Sequence, residues 1–162
     1  MNRNFKRSQM RSSQHRGFTL LEVMIVVAIV GILAIIAFPT FKKYRVNESR
    51  AEVEGALSII GQNLANYKLV NGSFTGAALT NTAIYGASTF PKTGPSLYNL
   101  SLTSTATSWT LSADPVSTSR QSGNGTVELN DQGWTCWNNP SNAATNLCVS
   151  AQPTATTTWN DN

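Results

Sequence analysis

The chain has 162 residues, with 12 Lys and Arg against 8 Asp and Glu for a formal charge of +4, and 41% of it is hydrophobic. Outside any membrane segment, that length can build one modest core and no more. A single histidine, two cysteines and the absence of Walker, GxSxG and HExxH patterns exclude the usual nucleophilic, phosphate-cradling and zinc chemistries, so no catalytic residue, metal ligand or cofactor is expected.

Residues 1–17 carry Arg3, Lys6, Arg7, Arg11 and Arg16 and no acid, the composition of a leader held in the cytoplasm. His15 lies in the same stretch. From Phe18 to Phe38 the only ionisable residue is Glu22, and the run is long enough to cross a hydrocarbon core as a helix. A secretory signal would have a shorter apolar run followed by its cleavage site. Here the plausible cut, Gly17/Phe18, precedes the run, so cleavage would leave the apolar helix as the new amino terminus.

The stretch Arg16-Gly17-Phe18-Thr19-Leu20-Leu21-Glu22, followed at once by the apolar run, resembles the processing site of type IV pilins and type II secretion pseudopilins. The resemblance implies that a membrane aspartyl peptidase, the prepilin peptidase, cuts after Gly17 and that the new amino-terminal residue, Phe18, is N-methylated. Glu22 then stands at the fifth position of the processed chain. A carboxylate in a bilayer is costly and usually has a partner. The Phe18 amine can supply it, and the resemblance implies the amine of a neighbouring subunit, so that pairing fixes axial register in a filament.

Loss of the leader reverses the charge balance: seven basic residues then face eight acidic ones. Beyond residue 60 only Lys68, Lys92 and Arg120 are basic, too few for the clustered footprint of a strong nonspecific DNA binder.

Pro39, without an amide proton, is expected to kink or open the helix, and Gly31 is a second weak point. From Thr40 the pattern becomes amphipathic, with Val53, Ala56, Leu57, Ile60, Leu64 and Tyr67 at three- and four-residue steps. Glu48, Arg50, Glu52, Glu54, Gln62, Asn63 and Lys68 fill the other face, and the acids read as solvated surface charge. Gly55 and Gly61 suggest close packing against a sheet, and Asn71-Gly72-Ser73 supplies the stop. A helix from Phe18 to about Val70 would be roughly 80 Å long.

Phe74 to Pro95, rich in Gly, Thr, Ala and Asn, reads as a long surface loop. Tyr98, Leu100 and Leu102 then alternate with polar residues, as do Trp109, Leu111 and Ala113, and Val127 and Leu129 flank Glu128. These are three strands, with a fourth around Trp134–Trp137. Asp114-Pro115, Ser122-Gly123-Asn124-Gly125 and Asn130-Asp131-Gln132-Gly133 punctuate them as turns of an antiparallel meander. The expected architecture is α+β, a long amino-terminal helix packed on a small antiparallel sheet. Its parts are a cleaved leader (1–17), a transmembrane helix that becomes filament core (18–39), an amphipathic half (40–72) and a sheet-bearing head (73–162).

Cys136 and Cys148 are the only cysteines. In an exported domain such a pair reads as a disulfide, closing a loop worth about 3 kcal/mol. The order of helix, loop, strands and carboxyl-terminal cysteine pair resembles the PilE- and ComP-type minor pilins of Gram-negative bacteria. Both cysteines follow the third strand, whereas many of those relatives place one earlier. The resemblance implies the type IV pilin fold, an inner-membrane location before assembly, other pilin subunits and the assembly platform as partners, and a role in pilus biogenesis, twitching motility, adhesion or natural transformation. A type II secretion pseudopilin and a DNA-uptake receptor pilin are the alternatives. DNA contact, not favoured, would fall to Lys92, Arg120, Trp134 and Trp137, with Trp159 beside them; the competing expectation is that the tryptophans pack beneath the disulfide loop.

Overall fold

A computed structural model describes residues 17–138 and 158–159. Its elements run α1 (Leu20–Asn71), β1 (Thr89–Phe90), β2 (Tyr98–Ser104), β3 (Trp109–Pro115), β4 (Val127–Asn130) and β5 (Thr135–Trp137). The chain divides into two compact units at Phe41/Lys42.

In the first unit every described residue is exposed. Its apolar window has a mean hydropathy of 3.0 and none of it is buried. The helical assignment continues through Gly31 and Pro39. The break expected at Pro39 does not interrupt it, because proline removes one donor and the neighbouring turns keep theirs. The Thr40 hydroxyl also donates to the Ile36 carbonyl at 3.2 Å.

The second unit is a larger head than residues 73–162, since it begins at Lys42 and takes in the amphipathic part of α1. Val53, Leu57, Ile60 and Leu64 are fully buried, the three- and four-residue steps that put one face of a helix on a core. The helix ends where Gly72 takes φ +76° and its amide donates to Lys68 O at 2.8 Å, a left-handed cap that a side chain would strain.

The five strands pair antiparallel in sequence order. Leu100 stands opposite Ala113, Leu102 opposite Leu111, Leu111 opposite Leu129, and Val127 opposite Trp137. One face is thereby continuously apolar, and with the helical stripe it forms a single core that takes in Trp109 and Tyr98. The other face carries Asn99, Ser101, Thr103, Thr110 and Ser112, with the Ser101 and Ser112 hydroxyls 2.6 Å apart.

Several expectations are corrected. The segment 74–95 is not simply a surface loop: Phe74, Leu79, Ile84 and Tyr85 are buried in the core, and it holds β1. Successive turns bury these side chains, and Asn63 Nδ2 donates to Ile84 O at 2.8 Å to hold the segment on the helix. Gly61 is closely packed, since a Cβ there would lie 3.1 Å from Trp109, but around Gly55 there is open space. Arg50 and Glu54 are not on the solvent face. Their side chains are only 15% and 16% exposed and approach to 3.5 Å, because Trp137 arrives from β5 and takes the Arg50 guanidinium 3.5 Å above its ring centroid.

Candidate functional site

The site with the most specific chemistry is the entry to α1. Gly17, Phe18 and Thr19 precede the helix, and nothing lies within 4 Å of where a Gly17 Cβ would stand. The peptide bond between Gly17 and Phe18 therefore sits on exposed, non-helical backbone, the form a peptidase can take into its cleft. Phe18 is 81% exposed.

Thr19 and Glu22 act together. Thr19 Oγ1 accepts the Glu22 amide at 3.2 Å, and Thr19 O accepts the Val23 amide at 3.3 Å. Thr19 is thus the N-cap and Glu22 the third helical residue, the hydroxyl half of a capping box. Helix N-termini carry partial positive charge, which favours a carboxylate in the first turn. The Thr19-Leu20-Leu21-Glu22 spacing carries the signal for this cap, which the expectation of Glu22 as a membrane charge does not include. The exposed Glu22 carboxylate takes part in neither ion pair found among the described residues, Arg45 with Glu48 and Arg50 with Glu54. The cap fixes the Glu22 backbone through its amide and leaves the side-chain carboxylate out of it.

Glu22 apart, the helix from Leu20 to Phe38 presents apolar surface, with Leu20 at 78%, Met24 at 62% and Ile35 at 76% exposure. Such a surface needs lipid or other apolar helices against it.

The head places the remaining expected residues differently. Arg120 donates from Nη2 and Nε to Ser49 Oγ at 2.8 and 3.3 Å, and Ser49 is buried. Beside it Gln121, fully buried, donates to Val46 O at 3.0 Å and accepts the Tyr98 hydroxyl at 2.9 Å. Burial raises the Tyr98 pKa above the usual phenol range. Trp137 is buried beneath Arg50 and donates from Nε1 to Asn124 O at 2.7 Å. Trp134 is half-buried, its amide bonded to Asn130 Oδ1 at 3.0 Å. Lys92 Nζ lies 4.3 Å from the centroid of the Tyr85 ring. Trp159 packs against the core and donates to Glu128 O at 3.1 Å. Arg120 and Trp137 are thus engaged in holding the head together, which leaves Lys92 and the half-buried Trp134 as poor nuclei for a nucleic-acid surface.

Cys136 lies opposite Glu128 and is buried, with Sγ 3.7 Å from Glu128 Oε2. Burial, and secondarily the Asp114 charge, raises the Glu128 pKa. Cys148 falls outside the described residues, as do Asn139 and Pro140.

Comparison with known proteins centres on the same entry. Residues 12–38 match the family model of the prokaryotic N-terminal methylation motif. The chain is 49% identical over 47 residues to the type IV major pilin protein PilA of Myxococcus xanthus, covering 29% of this chain and 21% of that protein. It is 38% identical over 72 residues to a fimbrial protein of Neisseria meningitidis serogroup B, covering 42% of each. Among solved structures, the Neisseria meningitidis non-core minor pilin PilV superposes with a TM-score of 0.47 at 21% identity, over 59% of this chain and 89% of that one. The chain thus spans less than half the length of those two curated relatives. It carries the methylation motif of type IV pilins and is homologous to them over its amino-terminal segment.

Proposed function

We propose that this chain is a structural subunit of a type IV pilus, made as a precursor, cut between Gly17 and Phe18, N-methylated at Phe18 and assembled through α1. The observation that carries the reading is Glu22: the single ionisable residue between Phe18 and Phe38, five positions into the processed chain. In a filament the apolar helices cover one another and the Glu22 carboxylate meets a neighbour's Phe18 amine. A shift of one subunit along the axis separates the two charges within an apolar surround, which is why the pair selects register.

In this reading the partners are the prepilin peptidase, the inner-membrane assembly platform and other pilin subunits. The chain resides in the inner membrane of a Gram-negative cell before it joins the pilus. The minor role rests on the order of elements in the head, and it would serve twitching, adhesion or transformation through pilus biogenesis. The burial of Trp137 and the engagement of the Arg120 guanidinium with Ser49 weigh against direct DNA binding. The Cys136–Cys148 disulfide, proposed from the cysteine count and the buried position of Cys136, would hold the end of the chain on the head.

Quantitative mass spectrometry of sheared pili and of the membrane fraction tests the proposal. Processed chain beginning at methyl-Phe18 in pili is the expected result, with trace abundance beside another pilin marking a minor subunit and dominance marking a major one. Complete absence from pili, with processed chain in the membrane, would transfer the assignment to a secretion pseudopilus. Gly17→Glu should leave uncleaved precursor in the membrane; a product of processed size would refute the cut site.

A further inference from the structure

The positive charge that follows the apolar run has no role in the reading so far. Lys42, Lys43, Tyr44 and Arg45 are consecutive, helical and exposed, and Tyr44 is 65% exposed. Successive residues on an α-helix are about 100° apart, so the three cations fall within an arc of about 160° and Tyr44 stands on the opposite side. A headgroup layer, which meets a helix on every side, suits both.

Charge placement supports the same environment. Orientation in a membrane is set by basic residues kept on the cytoplasmic side, and the leader already supplies five. Cations at the opposite end contribute nothing to that and require another cause. No acid occurs from residue 23 to residue 47, and the first one, Glu48, stands 4.0 Å from Arg45 with both side chains about half exposed, too open a pair to neutralise it. Tyrosine beside the cations suits the interfacial depth, where aromatic residues with a polar tip accumulate. In chain order Lys42 follows Phe38 by only four residues.

We propose that Lys42, Lys43 and Arg45 form a collar that binds anionic phospholipid headgroups on the membrane face where the head emerges. The inference rests on the reading of residues 18–39 as a membrane anchor. Before assembly the collar sets the depth of the subunit; on entry into a filament those lipid contacts must be given up, so headgroup charge opposes extraction.

The test reconstitutes the full chain into vesicles of equimolar phosphatidylcholine and phosphatidylglycerol, extracts it in mild detergent and measures the ratio of the two lipids that co-purify. The leader's cations give a background common to all variants. Phosphatidylglycerol should be enriched with the native chain, and K42Q/K43Q/R45Q should lower that enrichment by at least about fivefold, the factor that one interfacial cation carries. K42R/K43R should retain it, since charge and not lysine is required. Equal enrichment in the native and triple-glutamine chains overturns the proposal. If lipid enrichment is unaffected while the triple variant fails to enter pili, the collar binds acids of a neighbouring subunit instead. Extraction of the native chain from the vesicles by carbonate would overturn the anchor reading itself, and the collar with it.

Discussion

Two stretches of α1 obey opposite rules. Between Leu20 and Phe38 the apolar side chains are exposed, Leu20 at 78% and Ile35 at 76%, whereas Val53, Leu57, Ile60 and Leu64 are fully buried. Apolar surface is the same substance in both, and burial favours both by about 25 cal/mol per Å². The difference lies in where the covering surface comes from. For the second stretch it is the sheet and the segment 74–95 of the same chain; for the first it must be supplied from outside, by lipid or by other helices. One stretch therefore determines whether the head folds, and the other determines what it joins.

The largest effect that separates the two is expected from Glu22→Val, which should abolish incorporation into pili while leaving leader cleavage and the thermal midpoint of the head unchanged. Normal piliation in this mutant would refute the pairing of Glu22 with a neighbour's amine. The converse change is Leu57→Ala. Truncating a fully buried leucine should destabilise the head by about 2–5 kcal/mol, read from denaturant unfolding, and Leu33→Ala should leave the same transition where it was.

The two glycines sharpen the comparison within the head. Gly55→Ala adds a methyl to open space and should stabilise by about 0.5–1 kcal/mol through helix propensity. Gly61→Ala drives its methyl to 3.1 Å from the buried Trp109 ring, and overpacking of about 1–3 kcal/mol should outweigh that gain. Equal unfolding midpoints for the two variants would contradict the packing.

The smallest effect is electrostatic. Burial and Asp114 raise the Glu128 pKa, so the folded head holds that proton more tightly than the unfolded chain. Its contribution is favourable below the unfolded carboxylate pKa and is lost as pH rises through the folded value. Glu128→Gln should therefore raise the thermal midpoint at neutral pH, and the advantage should vanish in acid. An advantage independent of pH would point to packing instead of charge.

Much of this was legible because it is periodic. Tyr98, Leu100, Trp109, Leu111, Val127 and Leu129 alternate with polar neighbours, and their strands lie where that alternation places them. The helical stripe announces itself by its spacing in the same way. Phe74, Leu79, Ile84 and Tyr85 have no period, since turns deliver them to the core, and so their burial was invisible. Arg50 and Glu54 looked solvated because the residue that covers Arg50, Trp137, is remote in sequence. At the candidate site the cut and the charge were legible as a motif, but the cap joining Thr19 to Glu22 was missed although its spacing is local.

The outermost strands of the sheet are two and three residues long. Open strand edges are templates for pairing with another chain, and short ones blunt that tendency. Among the described residues, heads crowded along a fibre would offer one another only a short run of bare backbone, the part of β2 that β1 does not reach. Their adhesion must come from side chains and from the helices, contacts that can be released one subunit at a time. A fibre built so can be dismantled into intact, reusable monomers, where one stitched by shared sheet would have to be torn.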